Sequence, residues 1–155
     1  MAMMKKRNAF TMIELVFAIV IIGILASIAL PRLATTRDDA DIAKGRSDVS
    51  AIRAAIVSER QTRLLQGNTA FINHLDHQGA SSADGDILFD NNGVASQALL
   101  QYGIASGSTN GNWRKTAADT YQYRILGNDV QFTYTQATGA FDCNHNNANC
   151  RLLTD

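Results

Sequence analysis

The hydrophobic and polar positions divide the chain into three parts with different periodicities. From Phe10 to Leu30 the apolar residues are continuous: Leu15 to Leu30 carries no charge, and Glu14 stands alone at the mouth of the run. A helix over this stretch is about 31 Å long at 1.5 Å per residue, enough to cross a hydrocarbon core. Beyond it the pattern becomes amphipathic. Ile42, Val49, Ile52 and Ile56 recur at helical spacings, joined by Ala55, Val57 and Leu64, with charges such as Asp41, Lys44, Asp48, Arg53, Glu59 and Arg63 around them. This predicts a helix with one apolar stripe, running to about Gln66 and stopping at Gly67-Asn68. Pro31 lies inside the helical pattern and removes a backbone hydrogen bond, so a bend is expected near Ser27–Leu30. Gly23 weakens the same stretch by about 1 kcal/mol relative to Ala. Together the two parts predict one bent helix of about 57 residues, some 85 Å long.

After Thr120 the period changes to two. Tyr121, Tyr123 and Ile125 alternate with Gln122 and Arg124; after a turn at Gly127-Asn128, Val130, Phe132 and Tyr134 alternate with polar residues. A second turn at Ala137-Thr138-Gly139 leads into Phe141 and Cys143. This is an antiparallel meander with one apolar face, which needs a cover, and the amphipathic half of the helix is available to supply it. The predicted class is α+β, a long N-terminal helix packed on a small three- or four-stranded C-terminal sheet. The pattern between residues 67 and 119 is weak. Phe71-Ile72 and Leu75 read as a short helix or docking segment, and Gly79 to Asp86 as a polar loop. Ile87-Leu88-Phe89 leads to a turn at Asp90–Gly93; Val94 to Tyr102 reads as a short helix and Ser106 to Asn112 as another loop. Trp113 reads as core.

Charge sharpens the picture of the first thirty residues. The chain is neutral overall, with 14 basic and 14 acidic residues, but Lys5, Lys6 and Arg7 all precede the apolar run. Without residues 1–9 it carries 11 basic against 14 acidic residues, which argues against a nucleic-acid coat built on phosphate neutralisation. Three readings compete for the N-terminus. A cleaved secretory signal has only a poor site at Ser27-Ile28-Ala29, two residues before Pro31. A plain signal anchor, with its basic end in the cytoplasm, explains everything except Glu14. The third reading cuts the chain between Ala9 and Phe10. The new amine then lies at the positive pole of an apolar helix, and Glu14, four residues on, could neutralise it in its own chain or in a neighbour displaced along the axis. A buried charge with a partner is tolerable where an isolated one is not.

Lys5-Lys6-Arg7 followed by Ala9-Phe10-Thr11-Met12-Ile13-Glu14-Leu15 resembles the class III signal of type IV pilins and of the pseudopilins of type II secretion systems. The resemblance is strongest over residues 5–45. It implies that a membrane-embedded prepilin peptidase, also an N-methyltransferase, cuts before Phe10 and methylates its amine. It likewise implies that Glu14 docks subunits, and that Gly23 and Pro31 mark where the helix bends or loosens in a fibre. One departure stands out: the residue before the cut is normally Gly, and here it is Ala9. The implied layout is a leader at 1–9, a transmembrane and filament-core half-helix at 10–30, its amphipathic continuation at 31–66 and a head at 67–155. The implied partners are the peptidase, other pilin or pseudopilin subunits, an inner-membrane assembly platform and, before assembly, membrane lipid. The implied location is the inner membrane, with the N-terminus cytoplasmic and the head periplasmic, and then the filament. The rival from another class is a membrane-tethered periplasmic binding domain that does not polymerise.

Cys143 and Cys150 are the only cysteines, and with the head on the oxidising side they are expected to pair. Such a pair resembles the C-terminal disulfide loop of many type IV pilins. Little else suggests chemistry. His74, Asp76, His77 and His145 have no specific zinc spacing. Asp84, Asp86 and Asp90 resemble a calcium loop, and some major pseudopilins bind calcium, but Leu88 falls where such a loop wants oxygen. No nucleophile–base motif or phosphate-cradling loop is present, so the expectation is a structural subunit without a cofactor rather than an enzyme.

Overall fold

The computed structural model describes residues 10–76, 83–90 and 99–155, with the helical backbone alone over 30–35. The leader at 1–9, His77, positions 79–82 of the expected polar loop, the Asn91–Gly93 part of the expected turn and positions 94–98 of the expected short helix lie outside the described residues. Helix α1 spans Met12–Leu65 and is continuous through Gly23 and Pro31. It stops because Gly67 takes a left-handed conformation, φ +79°, which a residue without Cβ adopts readily. The Gly67 N–H then donates to the Leu64 carbonyl and the Asn68 N–H to the Arg63 carbonyl, pairing groups that a helix end leaves open. The chain forms two compact units, residues 1–37 and 38–155, and α1 contributes to both.

In the second unit, strands β1 (Ile87–Leu88) and β2 (Ile104–Ala105) make a small antiparallel pair. Strands β3 (Trp113–Ala117), β4 (Thr120–Ile125), β5 (Asn128–Thr135) and β6 (Ala140–Cys143) form a meander in that order. Register follows the alternation: Tyr121 pairs with Phe132, Tyr123 with Val130 and Tyr134 with Phe141, all on the buried face. Val49, Ile52 and Ile56 of α1 join these residues in one core, completed by Ile72, Leu75, Leu88, Phe89, Leu99 and Leu153. The aromatic centre is close-packed, with Trp113 4.9 Å from Tyr123 and 5.2 Å from Phe132, and Phe89 4.6 Å from Tyr121 by ring centroids.

Polar tips inside this core all find partners. Trp113 Nε1 donates to Asp48 Oδ2 at 3.1 Å, Tyr123 OH to the Asp41 carbonyl at 2.7 Å and Tyr134 OH to the Ile72 carbonyl at 2.8 Å. Tyr121 OH and Lys115 Nζ both donate to Asp76, whose side chain is 1% exposed, at 2.9 and 2.8 Å. This buried pair ties the segment after α1 to the sheet, and it is sound because each charge retains a bonded counterpart.

The sheet and its helical cover are as the periodicity predicts, but several details differ. Val57 and Leu64 do not join the stripe; they are 56% and 45% exposed, because α1 turns them away from the sheet. The β4–β5 turn is centred on Leu126-Gly127, both with positive φ, and Asn128 already belongs to β5. Residues 99–102 are not helical; Leu99 packs into the core from a bend. Trp113 is core as expected, yet it also opens a strand that the sequence does not announce, since β3 shows little alternation. Ile72 and Leu75 dock without forming a helix. Helix α2 (Ala148–Thr154) was not anticipated; Asn147 caps it, and Cys150 and Leu153 are its buried residues.

Candidate functional site: the apolar span and the outward face of α1

Within the first unit, Met12–Ala29 is long and apolar enough to cross a membrane and is not buried by any other part of the chain. Thirteen large hydrophobics between Phe10 and Ile28 are exposed. Such a surface needs lipid or protein around it. Glu14 is the one charge in the span and lies in the first turn of α1. Thr11 precedes that turn: its carbonyl accepts the Leu15 N–H at 3.2 Å, and its Oγ1 accepts the Glu14 N–H at 3.3 Å. Phe10 therefore lies just outside the helix, one residue before the cap. Ala9 is outside the described residues. An added Cβ at Gly23 would meet nothing within 4 Å, so no neighbour within the chain dictates that glycine.

The second unit holds a feature missing from the sequence reading. The charged side chains of α1 between Asp41 and Leu65 lie along the flanks, and all but Asp41 are bonded there. Lys44 donates to the Gly111 carbonyl, Arg46 to the Leu152 carbonyl at 2.6 Å, and Arg53 to the Phe141 carbonyl and to Asp142 Oδ1 at 2.9 and 2.8 Å. Asp48 accepts from Trp113, and Asp41 lies against Gly111. Arg60 bonds the Thr69 carbonyl and stacks 3.5 Å over Phe71, while Arg63 pairs with Glu59. What remains on the outward face is uncharged: Ala43, Ser47, Ser50, Ala54, Val57, Gln61 and Leu64, all exposed. They alternate at steps of four and three, the spacing of a helix–helix seam. Ordinary solvated helix faces carry charge. The seven-residue repeat Ala43, Ser50, Val57, Leu64 is the signal from which it could have been found.

Gly45 shows how closely α1 approaches the head. A Cβ there would lie 2.5 Å from Tyr123 Cε1 and 2.6 Å from Leu153 Cδ2. Burial of Asp48 raises its pKa, the largest effect, against the lowering by the Trp113 bond and Lys44.

The other predicted residues fall as follows. Cys143 and Cys150 form a disulfide with a Cα–Cα distance of 5.9 Å, tying β6 to α2. Asp84 Oδ2 accepts from Ser108 Oγ at 2.7 Å and Oδ1 lies 3.4 Å from Arg114, and these contacts, the Ser108 bond first, hold its pKa low. Asp86 Oδ1 accepts from the Ile87 N–H. His74 pairs with Asp119 and His145 with Asp142, so these two histidines, which lack zinc spacing in sequence, also stand apart in the fold. Among the described residues no group of three or more His, Cys, Asp or Glu side chains is placed to hold a metal ion.

A long N-terminal helix, apolar enough over its first part to cross a membrane, with a small antiparallel meander is a pilin-like α+β architecture. The prokaryotic N-terminal methylation motif matches residues 4–30. A third of the chain is similar to the type II secretion system core protein G of Escherichia coli strain K12, 41% identical over 51 residues, covering 33% of this chain and 35% of the relative. It is 35% identical over 52 residues to the protein of that name from Pseudomonas aeruginosa, and 38% over 56 residues to that from Vibrio cholerae, with 34% and 36% of this chain covered. The matches span 37% and 38% of those two relatives, little more than a third of their length. No solved structure matches the chain. The chain thus carries a prokaryotic N-terminal methylation motif and is similar, over about a third of its length, to type II secretion pseudopilins.

Proposed function

We propose that this chain is a structural subunit of a type IV pilus or type II secretion pseudopilus. It is made as a precursor, cut between Ala9 and Phe10 by a prepilin peptidase, methylated on the Phe10 amine and stored in the inner membrane. From that pool, and with an inner-membrane assembly platform, it polymerises with copies of itself or related subunits. The observation that carries the reading is the pair of unpartnered helix surfaces: the wholly exposed apolar span with a single carboxylate, and the charge-free seam of α1. The first suits lipid in the stored subunit. Both suit neighbouring helices in a fibre, where small residues at Ala43, Ser47 and Ala54 allow close approach. Glu14 then meets the Phe10 ammonium of a neighbour, and only one axial stagger satisfies both charges. Loosening of the helix near Gly23 and Pro31 accommodates that packing.

The test is the mature N-terminus together with the filament. Mass spectrometry of the mature chain should find a methylated Phe10 at its start. Glu14→Gln should leave the head folded while its yield in sheared filaments falls at least tenfold. A mature chain that retains Met1, or full filament yield from Glu14→Gln, overturns the reading in favour of a tethered domain that does not assemble.

A further inference from the structure

The outer face of the meander, turned away from the core, holds a small cavity whose lining the fold does not explain. Alternation turns Arg114 of β3 and Gln122 and Arg124 of β4 outward, and the register sets Arg114 directly across from Gln122. The loop between β2 and β3 is fastened beside them: the Gly107 N–H donates to the Trp113 carbonyl, and the Asn112 carbonyl accepts the Arg124 N–H. These side chains, with Ser108 and Asp129, line a cavity of about 20 Å³, room for one water-sized group. Arg114 Nε is buried and has no hydrogen-bond partner, the one such side-chain atom among the described residues. A buried donor left without an acceptor is costly, which points to an occupant. Gly107 lines the same cavity, and a Cβ there would stand 3.0 Å from Cγ and Nδ2 of Asn112, so glycine keeps that wall in place.

We propose that this cavity is a carboxylate subsite: one oxygen of an acid enters it and accepts from Arg114 Nε and the Gln122 carboxamide, while Arg114 and Arg124 balance its charge. Both guanidiniums have capacity left for it. Arg114 lies 3.4 Å from Asp84 Oδ1 and Arg124 3.3 Å from Asp129 Oδ1, longer than the usual charge-assisted bond of about 2.7–2.9 Å. All four side chains are 40% or more exposed, and pairs of that kind contribute little, so an incoming carboxylate competes with them readily. The same two acids select the ligand. A dianion such as phosphate meets Asp84 and Asp129 beside the cavity, and its tetrahedral group is too large for a space of one oxygen. A carboxylate brings a single negative charge and offers one oxygen from a planar group. Water would satisfy the Nε–H but leave the charge of the guanidiniums unused. The subsite does not depend on the proposed assembly, and its acid belongs either to a side chain of another protein or to a small free acid.

The experiment is nuclear magnetic resonance of the full-length chain in detergent micelles at neutral pH and constant ionic strength. The Nε–H resonance of Arg114 is identified by its loss in Arg114→Lys, which keeps the charge and removes Nε. Sodium acetate replacing sodium chloride should move that resonance and the Gln122 side-chain amide along one saturating curve. Arg114→Lys, read at the Gln122 amide, and Gln122→Ala, read at Arg114 Nε–H, should each weaken acetate binding about tenfold, the loss that corresponds to one hydrogen bond to a charged group. A blocked glycine–glutamate–glycine peptide and its glutamine counterpart separate the sources. A response to the glutamate peptide and none to the glutamine peptide assigns the subsite to acidic side chains; a response to acetate alone assigns it to small free acids. A shift that does not saturate, or that chloride reproduces, leaves solvent as the occupant and overturns the proposal. So does undiminished acetate binding in either variant whose Trp113 circular dichroism is native. Phosphate that saturates the same resonances at lower concentration than acetate overturns the choice of a carboxylate.

Discussion

Gly45 offers the sharpest test of how α1 seats on the head, because two effects of known size oppose one another there. Gly→Ala in a helix interior normally stabilises by about 1 kcal/mol. At position 45 the new methyl carbon would stand 2.5 Å from Tyr123 Cε1, 2.6 Å from Leu153 Cδ2 and 2.9 Å from Tyr123 Cζ, about 0.9 Å inside ordinary contact at the closest. Neither neighbour can retreat freely. Tyr123 is fully buried, its hydroxyl bonded to the Asp41 carbonyl and its ring 4.9 Å from that of Trp113. Leu153 is 2% exposed on α2, the helix that the disulfide ties to β6. Overpacking of this kind costs about 1–3 kcal/mol, and rigid neighbours place it at the upper end. The net expectation for Gly45→Ala is a loss of about 2 kcal/mol, equal to a fall in Tm of about 6–10 °C for a unit of this size.

The assay is thermal unfolding of a fragment beginning at Asp38, whose core closes within residues 38–155, followed by near-ultraviolet circular dichroism of Trp113. Gly23→Ala in the full-length chain serves as the counterpart: with nothing within 4 Å of the added carbon, it should raise helix stability instead. A Tm for Gly45→Ala equal to or above wild type would refute the argument, since it would mean that helix propensity outweighs the close approach.

Asp48 separates a hydrogen bond from a charge. Burial raises its pKa, so the ionised form weakens the fold and protonation relieves it; Asp48→Asn keeps an acceptor for Trp113 Nε1 and should unfold in urea at the same midpoint or slightly higher at pH 7. Asp48→Ala leaves the buried indole N–H unpaired and should lose about 1–3 kcal/mol. Alkali should unfold the head through its tyrosines. Burial pushes Tyr121 and Tyr123 above the ordinary tyrosine range and Tyr134 up to about 12. Above pH about 10 the unfolded state therefore holds fewer protons than the native one, so stability is complete below that pH and is lost as it rises toward 12. Stability measured by urea titration that stays flat from pH 9 to 12 would contradict this.

The meander was legible in the sequence because strict alternation survives wherever one face is buried and the other wet. Tyr121 to Ile125 and Val130 to Tyr134 are such stretches, and their registers agree with it. Strand β3 was not, because Arg114, Lys115 and Thr116 follow Trp113 without a repeat, and the single buried aromatic gives no period. Helix α2 is seven residues long and follows an Asn-rich loop, too short for a helical period to stand out. The Leu126-Gly127 turn was displaced by one residue because Leu is an unfavourable occupant of positive φ, which pointed instead to Gly-Asn. At the site, Glu14 was conspicuous as a lone acid in an oily run. The outward seam of α1 was not, because the charged residues between Asp41 and Arg63 appear in sequence to surround the helix, and only the fold shows them drawn to its flanks.

That distribution of charge links the stability of the head to the proposed assembly. In the proposed fibre the helix serves a sheet on one side and other helices on the other, which leaves little surface for solvation, and its charges lie along the two borders. There Arg46, Arg53 and Arg60 bond carbonyls of α2, β6 and the segment after α1. These contacts do more than fasten the helix to the head. Each guanidinium held at a border is kept off the seam, where an unpaired cation facing another helix would be costly to desolvate. The same residues that position α1 on the sheet thus keep its outward face neutral, and the small side chains there let a neighbouring backbone come close. On the proposed function the head is a clamp that leaves one face of the helix neutral for a neighbouring subunit.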